Sequence, residues 1–129
     1  MDSMSKLTLN VWGREFTLDV VYDRYEGEEI LLSQQEALER FLASPDLIAE
    51  AKGEVERYCL SRNADEIGAS VIENIFKYVI PKLIYIQRTK DDTRVVGLLC
   101  AYKFDMSNGI AVVFKNEQLE KVGTQNIIL

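Results

Sequence analysis

The stretch FDMSNGIAVVF, residues 104–114, sets Asp105, Ser107 and Asn108 beside Gly109, so three side-chain oxygens could converge as in a catalytic or metal-binding loop. The same letters, placed between two apolar runs, spell a hairpin, because Asn108 and Gly109 tolerate the positive φ angles of a tight turn. A calcium loop needs several acidic oxygens at fixed spacing and a bidentate Glu, and only Asp105 is charged here. The turn is the better fit. A second grouping, Glu50, Glu54 and Arg57, shares one helical face through i, i+4 and i+3 spacing. That face lies opposite the apolar stripe and reads as a salt-bridged, solvent-facing surface rather than a pair of catalytic carboxylates.

The chain has no histidine. Ser-His-Asp and Cys-His nucleophile systems, His general bases and His-containing metal sites are closed to it unless a partner chain supplies the imidazole. Carboxylate or lysine chemistry stays open, but no constellation points to it. The expectation is a non-enzymatic chain with no cofactor and no metal. Two cysteines, Cys59 and Cys100, admit one disulfide, yet their apolar periodic positions read as buried free thiols, which suits a reducing cytoplasm.

Charge is uneven. Residues 1–75 carry 16 acids against 7 Lys and Arg, a balance of -9, and residues 76–129 carry 5 acids against 8 bases, a balance of +3. A net charge of -6 without a basic run is poorly suited to phosphate backbones, so nucleic acid is not an expected partner. The densest acidic segment is DRYEGEE, residues 23–29, where Asp23, Glu26, Glu28 and Glu29 surround Tyr25. Four carboxylates and an aromatic on a loop suit a basic protein surface, and these five residues are the candidate partner-binding set. The bland alternative is a solvated acidic loop.

These residues depend on their scaffold. With 129 residues, 47% hydrophobic and 28% charged, the chain has the size and composition of one globular domain, 1–129. No apolar run approaches the ~18 residues of a membrane helix, and no leader is visible in MDSMSK, so a cytoplasmic protein without a membrane partner is expected. Period-two alternation at Leu7, Leu9 and Val11, then at Phe16, Leu18, Val20 and Tyr22, predicts a hairpin turning at Trp12-Gly13-Arg14. Ser33-Gln34-Gln35-Glu36 has the spacing of a capping box, with Ala37, Leu38, Phe41 and Leu42 following as a helical stripe. Ser44-Pro45 starts a second helix with a stripe at Leu47, Ile48, Ala51, Val55, Tyr58 and Cys59. Ile67, Val71, Ile72, Ile75, Phe76 and Val79 predict a third helix, ended by Pro81. Runs at 82–87, 94–104, 110–115 and 119–122 predict a four-strand antiparallel meander, with 94–104 central because both its faces are apolar. The fold class is α+β: a mostly antiparallel sheet, hairpin plus meander, with three helices on one face.

The order VWGREFTLDV, LLSQQEALERFLASPDLI, VIPKLIYIQ and RVVGLLCAYKFDMSNGIAVVFKNEQLEKVG resembles a bacterial family of small, uncharacterised α+β domains, some of whose members stand beside polymorphic toxins and are regarded as immunity proteins. The resemblance runs from about Leu7 to Gly123. Its main marks are Gln35, Ala37-Leu38, Phe41-Leu42, Pro81, Gly109 and Val122-Gly123. Relatives read W-D-x-E-H-G where this chain has Phe104 to Gly109; Asp105 and Gly109 match, and Ser107 and Asn108 replace the Glu and His that could have bound metal or moved protons. The resemblance implies an immunity protein that neutralises a cognate toxin, such as a basic nuclease. The alternative is a housekeeping or scaffold domain that self-associates, as a homodimer for instance, through Tyr25, Trp12 or Asn126-Ile127-Ile128-Leu129.

Overall fold

The computed structural model describes residues 5–129. The alternating N-terminal residues form β1 (Ser5–Val11) and β2 (Arg14–Tyr22), paired antiparallel from Ser5↔Val20 to Val11↔Arg14. Their two-residue link, Trp12-Gly13, has φ of 53° and 91°, the two positive angles whose twist matches that of the flanking strands. Helices α1 (Leu32–Leu42) and α2 (Pro45–Ile67) follow, then β3 (Val79–Ile86), β4 (Val95–Tyr102), β5 (Ile110–Lys115) and β6 (Gln118–Gly123). The six strands form one sheet in chain order. The α+β class and the mostly antiparallel sheet are as expected, but the hairpin and the later strands are one unit, joined where Asp19–Tyr22 of β2 runs parallel to Leu83–Ile86 of β3. A parallel pair needs a long crossover, and the two helices supply it.

The third predicted helix is absent, and Pro81 is not a helix stop. Instead α2 continues through the polar stretch 61–66 to Ile67 and is capped by Gly68, whose φ of 71° is the left-handed conformation that glycine adopts without strain. Its regularity breaks at Asn63 (φ -134°, ψ 39°), whose Oδ1 accepts a 2.6 Å hydrogen bond from the hydroxyl of buried Tyr102. Residues 69–74 have no helical structure, and only Ile75–Lys77 form a 3-10 turn, opened by Asn74 Oδ1 accepting from Phe76 N. The apolar letters that imitate a helical period are divided between elements. Ile72 plugs the core from a loop and Ile75 from the 3-10 turn, Val71 is 68% exposed, and Val79 begins β3. Pro81 lies inside β3 where the register shifts, at a place that needs no ladder N–H. The start of α1 also differs from the Ser33 capping box: Leu31 is the cap position, and Gln34 Oε1 accepts from its backbone N–H at 2.9 Å.

Both faces of the sheet are covered at its centre. On one face the helices bury Val11, Leu18, Val20, Ile84, Leu98 and Val112 with Phe41 against Phe114, ring centroids 5.2 Å apart. On the other, Val95, Leu99, Ala111 and Val113 are capped by the C-terminal segment, where a 3-10 turn (Gln125–Ile127) places Ile127 and the buried Ile128 against them. Gly97 makes room for this: a Cβ there would stand 2.7 Å from Ile128 Cδ1. The C-terminal apolar residues proposed for self-association are thus engaged within the chain, apart from Leu129. Trp12 is engaged as well, its indole N–H donating to Ile48 O at 2.8 Å and its ring packing on Phe76. Cys59 and Cys100 are free, buried thiols, and burial pushes both up from the ordinary thiol range.

The loop at 104–109 is not the predicted two-residue turn. Gly109 has φ of 57°, but Asn108 is not at positive φ, and Gly109 N closes a wider turn onto Asp105 O at 2.9 Å. Asp105 organises it, with Oδ1 and Oδ2 accepting from Asn108 Nδ2 and Oδ1 from Asn108 N. The tight turn lies one hairpin later, at Asn116-Glu117 between β5 and β6, with φ of 49° and 59°. There Arg94 grips Glu117 with two 2.8 Å hydrogen bonds, both side chains about one-fifth exposed. Hydrogen bonding from Arg94 holds the Glu117 carboxyl below its ordinary value of 4.5, and the Arg94 and Arg40 charges add to the effect. A depressed folded-state value contributes stability that is present above the unfolded value and lost as pH falls through the folded one. Glu117→Gln is therefore expected to destabilise the protein at neutral pH and to converge with wild type in acid, once pH falls below the lowered folded-state value, measured as urea midpoints across pH.

Candidate functional site

The candidate loop leaves β2 at Tyr22 and reaches α1 at Leu32. Asp23 still belongs to the sheet, since its backbone N–H donates to Ile86 O at 2.9 Å and prolongs the parallel pair. The tip is a turn, Tyr25-Glu26-Gly27-Glu28, closed by Glu28 N donating to Tyr25 O at 3.0 Å, with Gly27 at φ 81° in the third position, where positive φ favours glycine. Tyr25 at the tip is 73% exposed.

Two residues that sequence reasoning passed over hold this loop. Gln34 is 1% exposed and pins both ends: its Oε1 accepts from Leu31 N, and its Nε2 donates to Asp23 O at 2.7 Å and to Ile86 O at 3.2 Å. A signal existed, because Gln34, Ala37, Leu38 and Phe41 stand at i, i+3, i+4 and i+7, so a polar residue occupies the buried stripe. Arg88, in the β3–β4 connection, holds the middle. Its Nη1 donates to Glu29 O at 3.1 Å, its Nη2 lies 3.7 Å from Glu28 Oε1, and its backbone N–H donates to Asp23 Oδ2 at 3.3 Å. Burial, with the nearby charge of Asp23 adding, pushes the Tyr85 phenol up to about 12. No local periodicity announces Arg88, whose partners are about 60 residues away in the chain.

The five candidate residues therefore have two roles. Asp23 faces inward onto the supports, while Tyr25, Glu26, Glu28 and Glu29 lie in the exposed stretch, Glu28 with its carboxylate 3.7 Å from Arg88. The geometry makes an ordered, acidic, aromatic-tipped protrusion. Glu54 and Arg57 pair on the exposed side of α2, and Glu50 is exposed too. Arg88→Ala is expected to leave the fold intact and to raise amide exchange selectively at residues 24–30, because it removes the hydrogen bond to Glu29 O and the ion pair with Glu28 while keeping only the backbone bond to Asp23. Hydrogen-exchange mass spectrometry checks this, and unchanged protection would deny Arg88 its clamping role.

Among the described residues, no helix is long and apolar enough to cross a membrane. Comparison with curated proteins and with solved structures finds no match. A family model described as "Domain of unknown function (DUF6985)" matches residues 3–129. Since that match spans nearly the whole six-stranded α+β chain, the protein belongs to the DUF6985 domain family.

Proposed function

We propose that the chain is a non-enzymatic protein-binding domain that presents loop 23–29 to a basic protein, and that it acts in the cytoplasm as an immunity protein against a cognate toxin. One observation carries the binding role: Gln34 and Arg88 fix an acidic loop in place while leaving Tyr25 at its tip 73% exposed. An aromatic held ready on a pre-ordered loop loses little conformational entropy on binding, and carboxylates around it steer a basic partner. Tyr is also among the residues that most often dominate interface energy. The toxin-directed form of the proposal rests on the sequence resemblance, and the cytoplasmic setting on two buried free thiols.

The test uses the intact chain as bait in its native cell extract, beside a variant carrying Tyr25→Ser, Glu26→Gln, Glu28→Gln and Glu29→Gln. A basic protein retained by wild type at low salt and lost by the variant supports the proposal. Equal retention by both would move recognition off the loop. If nothing is retained and sedimentation shows a dimer that Tyr25→Ser dissociates, self-association through the same tip takes its place.

A further inference from the structure

A cavity of about 480 Å³ lies on the sheet face opposite the helices. Its construction follows from strand register. Val95 pairs with Lys115 and Val113 with Lys121, and directly paired residues share a face, so two valines and two lysines alternate across β4, β5 and β6. The C-terminal segment forms one wall through Ile127 and Ile128, and the β3–β4 connection forms the other, adding Arg88 and Lys90. The result is an apolar floor with four cations around it, in a chain whose net charge is -6.

The two acids in the lining offset this in part: Asp91, whose Oδ1 accepts from Thr93 N at 2.8 Å, also feels the charge of Lys115, and Glu120 is the other carboxylate. Arg88 is committed to the acidic loop. Among the described residues Lys90, Lys115 and Lys121 make no ion pair. Four cations against two carboxylates leave the lining net positive, and a multivalent anion is the ligand that balance favours.

We propose that this cavity is a binding site for a small organic phosphate of up to nucleotide size. Lys90, Lys115 and Lys121 neutralise the phosphate charge, and the apolar body rests on Val95, Val113 and Ile128. The volume lies within the ordinary range of small-molecule pockets. Lysine ammonium groups act on phosphate as point charges and do not demand one fixed orientation, which suits an array on flexible stems. The floor distinguishes an organic phosphate from a bare one: ADP gains contact there that pyrophosphate cannot make. The site lies outside loop 23–29 and does not depend on the protein-binding role proposed for it.

Titration calorimetry of the full chain with metal-free ADP and with pyrophosphate decides the matter. Arg88 is left intact, since its substitution would also release the loop. Wild type is expected to bind ADP with a Kd on the order of 10–100 μM near physiological salt, and pyrophosphate more weakly. Lys115→Gln with Lys121→Gln should weaken ADP at least roughly tenfold, or about 1.4 kcal/mol, while Lys77→Gln with Lys82→Gln, elsewhere on the surface, should not. Circular dichroism establishes that both variants are folded, and Lys115→Arg with Lys121→Arg should restore binding. Absence of ADP binding, equal losses in the two glutamine variants, or pyrophosphate binding as tightly as ADP would overturn the proposal.

Discussion

Gly109→Ala is expected to lower stability by about 2–5 kcal/mol, whereas its neighbour Asn108→Ala should cost no more than about 1 kcal/mol. Two effects add at Gly109. An L residue at its φ of 57° loses roughly 1–2 kcal/mol in left-handed backbone. The new Cβ would also stand 2.6 Å from Cys100 O and 2.5 Å from Gln125 Nε2. The Gln125 side chain can swing away, but the Cys100 carbonyl belongs to β4 and cannot, so overpacking adds roughly 1–3 kcal/mol. Asn108 is exposed and not at positive φ, and its side chain contributes only hydrogen bonds to Asp105 in solvent. Chemical denaturation of both variants separates them. Equal losses would restore the two-residue turn that the letters Asn-Gly suggest, and no loss at Gly109 would refute the close approach.

Gln34→Leu should cost about 2–4 kcal/mol despite keeping the side-chain volume nearly constant. The substitution leaves Leu31 N and Asp23 O without the amide that satisfies them, at roughly 1–3 kcal/mol for each group kept from water. Ile86 O suffers less, because it also accepts from Asp23 N. The loss should be local as well as global, with exchange protection falling at both ends of loop 23–31 and at the first turn of α1. Leu38→Ala on the same helix provides the comparison, since removing a partly buried apolar group should destabilise without selectively loosening the loop. An unaltered midpoint for Gln34→Leu would mean that water replaces the amide freely and that the loop is not held from below.

How much of this was legible depends on whether a residue's partners are near in sequence. The Trp12-Gly13 hairpin, the stripe from Leu47 to Cys59 and the two-sided apolar strand at Val95–Tyr102 are local patterns, and each folds as its period dictates. The third helix failed because a helical period in Ile67 to Val79 was satisfied by chance across a loop, a 3-10 turn and a strand start. Gly68 and Asn63 carried the stop and the kink, and the Asn63 bond to Tyr102 spans 39 residues. The candidate loop was visible from composition alone, but its supports were not. Asp23 looked like one more carboxylate until Arg88, 65 residues away, was brought beside it by the parallel β2–β3 pair.

The central claim is that the Tyr25 tip is where a protein partner docks. A photo-reactive phenylalanine analogue placed at position 25, and separately at exposed Met106 as control, tests it directly when the chain is expressed in its native cell and irradiated. The expected result is one defined adduct with a basic protein from position 25, absent from position 106 and diminished by Arg88→Ala, which loosens the loop. No adduct at position 25, or the same adducts from both positions, would contradict it.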